Sequence, residues 1–146
     1  MSGYQKRNLA LFLYIYCCLF PPTLSVVNAS AGGKYHVYIA NGLPDNLRVN
    51  CWSNDEDLGD YNVPVNQRFR FTTTTELAKY FGTFWWGQKT NAFVVFSSQV
   101  ASTYCGEADP NISRICYWLV TSDGFYIANV TRPPPEALTK VHPWAN

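Results

Sequence analysis

Apolar and polar positions alternate in short runs along most of this chain, the period-two signature of half-buried β-strands. In Tyr35–Ala40, Tyr35, Val37 and Ile39 share one side and His36, Tyr38 and Ala40 the other. After the turn formers Asn41-Gly42-Leu43-Pro44-Asp45-Asn46, the pattern returns with Leu47, Val49, Cys51 and Ser53. These first two strands are therefore expected to be antiparallel neighbours. Further strands are expected at Arg68–Thr74, where Phe69, Phe71 and Thr73 share a face, at Tyr80–Trp86 and at Phe93–Ser97. Ile115–Val120 and Phe125–Ala128 read as a hairpin joined through Ser122-Asp123-Gly124, whose glycine permits the positive φ of a tight turn.

The breaks in the pattern are as informative. Asn54–Asp60 crowds Asp55, Glu56, Asp57 and Asp60 together with Gly59, so it is expected to be a solvated loop and not a strand interior. Glu76–Tyr80 is long enough for one helical turn and no more. From Arg132 the chain runs into Pro133-Pro134-Pro135-Glu136, and residues 132–146 read as a Pro-rich, disordered tail. No repeat and no βαβ unit is visible. Seven or eight short strands within residues 32–131 predict an all-β fold, a small antiparallel β-sandwich.

The N-terminus changes the chemistry of everything after it. Lys6 and Arg7 precede the 12-residue apolar run Leu9–Phe20, then come Pro21-Pro22 and the small residues Ala29-Ser30-Ala31. That order is a secretory signal peptide over residues 1–31, cleaved after Ala31. The run is shorter than the roughly 20 residues that cross a bilayer, so the mature chain is not expected to insert in a membrane. Cleavage removes both early cations and no acid, turning a formal charge of +1 into −1 over the remaining 115 residues. A chain with so little net positive charge is not expected to bind nucleic acid.

Cleavage also removes Cys17 and Cys18, leaving Cys51, Cys105 and Cys116. In an oxidising compartment, three cysteines allow one disulfide and one thiol, with three pairings open. Asn111-Ile112-Ser113 and Asn129-Val130-Thr131 are N-glycosylation sequons, so a glycoprotein is expected.

The landmarks also fall in a familiar order. Val37-x-Ile39-x-Asn41-x-Leu43 and Leu47-x-Val49-x-Cys51-x-Ser53-x-Asp55-x-Asp57-Leu58-Gly59 open it. Phe69-x-Phe71, Phe84-Trp85-Trp86-Gly87, Phe93-x-Val95-Phe96 and Cys116-x-Trp118-x-Val120-x-x-Asp123-Gly124-Phe125-Tyr126 complete it. Across about residues 35–128 the chain resembles the plant self-incompatibility S-protein homologue family. The resemblance implies a small secreted β-sandwich that acts as an extracellular ligand, without catalysis or cofactor. Members of that family usually carry a cysteine in a Phe-Cys-x-Phe pattern where this chain has Phe81-Gly82-Thr83-Phe84. If the missing cysteine would have paired with Cys51, the resemblance implies a Cys105–Cys116 disulfide and a free Cys51. Closing that short loop contributes about 2–3 kcal/mol by chain entropy.

Other chemistry is thinly supported. The carboxylates at 55, 56, 57 and 60 lack the glycine and terminal glutamate of an EF-hand, so no metal is expected. Nucleophilic catalysis has only His36 and His142 to draw on, and His36 and Cys51 lie in different strand phases. Trp85 and Trp86 must point to opposite faces, which leaves one outward ring as a sugar-stacking candidate for a carbohydrate-binding or defence module. The favoured expectation is a secreted, non-enzymatic ligand for a cell-surface receptor or other extracellular protein. Its contact surfaces would be the loop with Asp55, Glu56, Asp57 and Asp60 and the segment Gly106–Arg114.

Overall fold

A computed structural model describes residues 32–74 and 78–145. Among the described residues, nine strands form two sheets: β1 (Tyr35–Asn41), β2 (Leu47–Trp52), β3 (Asp57–Val63), β4 (Arg68–Thr73), β5 (Tyr80–Trp86), β6 (Lys89–Phe96), β7 (Arg114–Thr121), β8 (Gly124–Ala128) and β9 (Thr139–His142). The first sheet runs β4-β1-β7-β8-β9 and the second β3-β2-β5-β6. A helical turn at Ser98–Val100, capped by the Ser97 hydroxyl accepting from the Val100 N–H, widens into a π-helical stretch at Ala101–Cys105. The expected signal peptide lies outside the described residues, as does part of the expected helical turn at 76–80.

The alternating residues supply the facing surfaces of the two sheets. Val37, Ile39, Cys116, Trp118, Val120, Phe125 and Ile127 meet Leu47, Val49, Cys51, Phe84 and Val95, all essentially inaccessible to solvent. Trp118 gives this interface direction: its indole N–H donates to the Val95 carbonyl, 2.9 Å away in the opposite sheet. A buried indole needs such a partner. Beside it, Phe93 lies 5.1 Å from Trp118 and Phe84 4.9 Å from Phe125, centroid to centroid.

Four sequence expectations require correction. β1 and β2 are not neighbours, because β1 lies between β4 and β7 while β2 lies between β3 and β5. The β1–β2 turn is a corner that carries the chain from one sheet to the other. Nor is the sandwich wholly antiparallel, since β1 and β7 pair in parallel, Val37 against Cys116 and Ile39 against Trp118. The acidic stretch is not all loop, for β3 begins at Asp57. It is an edge strand whose charges face water, with a register shift opposite Cys51 and Trp52 and with Gly59 at φ +88°. Charges and irregularity are ordinary on an edge, where they deter pairing with other chains. Finally, the tail docks on the sandwich. β9 pairs with β8, and Trp144 is buried beside Phe125 with its indole N–H donating 2.8 Å to the Thr121 carbonyl.

Asn41 holds the corner. Its side-chain oxygen accepts from the Leu43 N–H, and its amide nitrogen donates to the carbonyls of Asp45 and Val63, each at 2.8 Å. Its backbone bonds to Gln67 and Asn66 in the β3–β4 turn, where the chain crosses back. Truncating this buried side chain strands one donor and two acceptors. Asn41→Ala is expected to lower the unfolding free energy by about 2–4 kcal/mol in denaturant titrations. A loss under about 1 kcal/mol would mean that the backbone alone holds the corner.

Candidate functional site

β1 and β7 begin, and β2, β4 and β6 end, at one end of the sandwich, because each crossover reverses the chain. That end gathers the β2–β3 turn, the start of β5 and the long β6–β7 connection. Both segments singled out from the sequence as contact surfaces are therefore brought to the same end of the sandwich.

The β2–β3 turn is compact. Ser53 N–H donates to the Glu56 carbonyl at 2.7 Å, and the Ser53 hydroxyl accepts from the N–H groups of Asp55 and Glu56. Its tip is held from below by the Tyr80 hydroxyl, which donates to the Glu56 carboxylate. Burial and then that carboxylate push the Tyr80 phenol up to about 12. Ser53–Glu56, Ala78, Lys79 and Tyr80 enclose a cleft of about 290 Å³. The four acids thus divide into two groups. Asp55 and Glu56 stand exposed at the tip, whereas Asp57 and Asp60 lie on β3. There Asp57 accepts from the Gly59 N–H at 2.8 Å, and Asp60 pairs with Arg48 at 2.6 Å. Hydrogen bonds from Arg48 and then Asn50 hold the Asp60 carboxyl below its usual range.

The β6–β7 connection is anchored by the Cys105–Cys116 disulfide, whose Cα atoms are 5.1 Å apart. The Tyr35 hydroxyl donates to the Gly106 carbonyl at 3.0 Å, and Arg114 Nε to the Glu107 carbonyl at 3.2 Å. Asp109 folds the tip, accepting from the N–H groups of Asn111 and Ile112. Ile112 is 47% exposed, an apolar side chain in a polar loop. Ser98, Gln99 and Ser102 from the helical turn face Glu107 and Ala108 across a cleft of about 450 Å³, backed by Tyr35 and Phe96.

The family model for plant self-incompatibility protein S1 matches residues 36–144. The chain belongs to that family. A solved structure described as "Structure of SPH (Self-Incompatibility Protein Homologue) proteins, a widespread family of small, highly stable, secreted proteins from plants" superposes with a TM-score of 0.56. That likeness covers 81% of this chain and all of the other at 15% identity, and it concerns the fold. No curated protein matches the chain.

The cysteine that S1-family members usually carry in the Phe-Cys-x-Phe pattern falls at Gly82, and β2–β5 pairing sets Gly82 directly opposite Cys51. A Cβ built on Gly82 would lie 2.7 Å from Val95 Cγ1 and 2.9 Å from the Phe84 ring. Core side chains have filled the space. Cys51 is left free and fully buried, and Cys105–Cys116 is the disulfide.

Residues considered for catalysis are dispersed. Cys51 faces the core from the second sheet, whereas His36 bonds to Thr72 on the outer side of the first. His142 packs against the Phe93 ring at 4.1 Å. Among the described residues, no group of three His, Cys, Asp or Glu side chains is placed to hold a metal. Of the tryptophan pair, Trp86 turns toward Trp144, and Trp85 carries the Arg48 guanidinium over its ring at 4.4 Å. Sequence reasoning placed Ile112 within the Gly106–Arg114 segment without singling it out, and missed the roles of Tyr80 and the Ser98–Ser102 wall. Only Ile112 left a trace, as an apolar residue inside a sequon.

Desolvation raises the Cys51 thiol from its usual value near 9 to about 12. Below pH 9 both folded and unfolded chains hold that proton. Between about pH 9 and 12 the unfolded chain releases it first, so stability falls as pH rises through this window. Denaturant titrations should show that decline, and Cys51→Val should make it shallower. The native thiol should also resist alkylation that goes to completion in denaturant.

Proposed function

We propose that this chain is a secreted, non-catalytic recognition protein, a ligand that engages a cell-surface receptor or other extracellular protein through the loop-bearing end of its sandwich. The observation that carries the reading is the convergence of the Ser53–Glu56 turn and the 106–113 loop at one end, the second anchored by a disulfide. Loops fixed on a rigid scaffold can present side chains without ordering them at the moment of binding. Asp55 and Glu56 offer charge, Ile112 offers an apolar anchor, and the two clefts offer relief between them.

Secretion is supported by the signal-like N-terminus and by the description of the SPH proteins as secreted plant proteins. Intact mass of the exported protein is expected to correspond to a chain beginning at Gly32. It is also expected to carry N-glycan at Asn111, Asn129 or both, since each side chain is exposed. An unglycosylated chain retaining residues 1–31 would refute this part. The competing reading, a lectin built on the outward Trp85, is weakened because Arg48 already occupies one face of that ring.

Saturable binding of labelled protein to wall-free plant cells tests the proposal. Replacing residues 54–56 and 107–112 by Gly/Ser segments of equal length is expected to lower affinity at least about tenfold while leaving the thermal midpoint within a few degrees. Undiminished binding by a folded double-loop variant would contradict it.

A further inference from the structure

The opposite end of the sandwich carries a second feature that the recognition loops do not use. Where the β1–β2 and β3–β4 crossovers meet, a groove of about 400 Å³ opens on the outer side of the first sheet. Asn66, Gln67 and Arg68 form one wall, Thr131 and Arg132 the other, and Tyr117 and Leu119 lie in the lining. Among the described residues, the charged side chains lining it are two exposed arginines from segments 64 residues apart. Among the described residues neither has a carboxylate partner, the ion pairs being Arg48–Asp60 and Lys140–Asp123.

The cationic character continues beyond the groove. Arg68 is held over the Tyr38 ring at 4.8 Å, a stacking that leaves the N–H edge of a guanidinium free to bond. Two residues along the same edge strand, Arg70 lies opposite Tyr38, and Lys34 precedes β1. Burial first, and then Lys34 and Arg70, hold the His36 imidazole below its usual pKa. Asp55, Glu56, Asp57 and Asp60 belong to the β2–β3 region of the other sheet.

We propose that this groove and the Arg68–Arg70 edge bind a carboxylated polysaccharide, a chain of uronic acid units. Guanidinium forks match carboxylates in bidentate geometry. Arg68 and Arg70 lie two residues apart on the edge strand β4, so both side chains leave the same face of the sheet and extend the positive row beyond the groove. Asn66, Gln67, Thr131 and the Tyr117 hydroxyl supply partners for sugar hydroxyls, and Leu119 an apolar contact.

Titration calorimetry of the mature protein with sodium polygalacturonate oligomers tests the assignment. Binding is expected, weakening as salt is raised, and is expected to be absent with the fully methyl-esterified chain. Arg68→Ser/Arg132→Ser should lower affinity at least about tenfold without moving the thermal midpoint, whereas Lys89→Ser on the β5–β6 hairpin should not. Equal binding of the methyl ester, undiminished binding by the double variant, or matching affinity for single-stranded RNA or phosphatidylserine vesicles would overturn the proposal. Arg68→Ser/Arg132→Ser is expected to keep its affinity for wall-free cells, so failure of this groove and failure of the loop reading are separable.

Discussion

One buried carboxamide governs how this chain passes between its sheets. Asn41 stands at the end of β1 and reaches the β1–β2 turn, the last residue of β3 and the β3–β4 turn at once. Two crossovers, one leaving the first sheet and one returning to it, are therefore tied to a single residue, its side chain bonding Leu43, Asp45 and Val63 and its backbone Asn66 and Gln67. An apolar residue could fill the volume but could not satisfy the three backbone groups that this carboxamide bonds. From that corner the relative placement of β1 with β4 and of β2 with β3 follows, and with it the shared interface under Trp118.

The far end is built differently. Polar loops dominate there, and cross-links do the work of a core: the Cys105–Cys116 disulfide, the Tyr35 hydroxyl on Gly106 and the Tyr80 hydroxyl on Glu56. An S1-family sandwich arranged in this way separates its tasks. One end fixes the fold with a buried network, and the other displays short, tethered loops. Opposite Cys51, Val95 and Phe84 fill the space beside Gly82, and β2 and β5 pair there without a covalent link.

Strand positions were legible because inward residues alternate faithfully in β1, β2, β4, β5, β7 and β8. Strand partners were not, since a period of two carries no information about which sheet a strand joins. The parallel pairing of β1 with β7 joins residues nearly eighty positions apart, beyond the reach of local pattern. β3 was hidden by its edge position, which lets Asp57 and Asp60 stand in a strand, and β9 by the prolines before it. Trp144 was the one local sign that the tail packs. At the candidate site the acidic residues and the second loop were visible in sequence. Their meeting at one end was not, and neither was the pairing of Arg68 with Arg132.

Amide hydrogen exchange on the native mature protein tests the central claim most directly, because it reads both ends of the sandwich in one experiment. The amides of Gly42 and Leu43, bonded to the Val120 carbonyl and the Asn41 side chain, should exchange as slowly as those of β1 and β7. Residues 54–55 and 107–111 should exchange orders of magnitude faster while the strands flanking them stay protected. Rapid exchange at Gly42 and Leu43, with the far loops as protected as the core, would contradict the account.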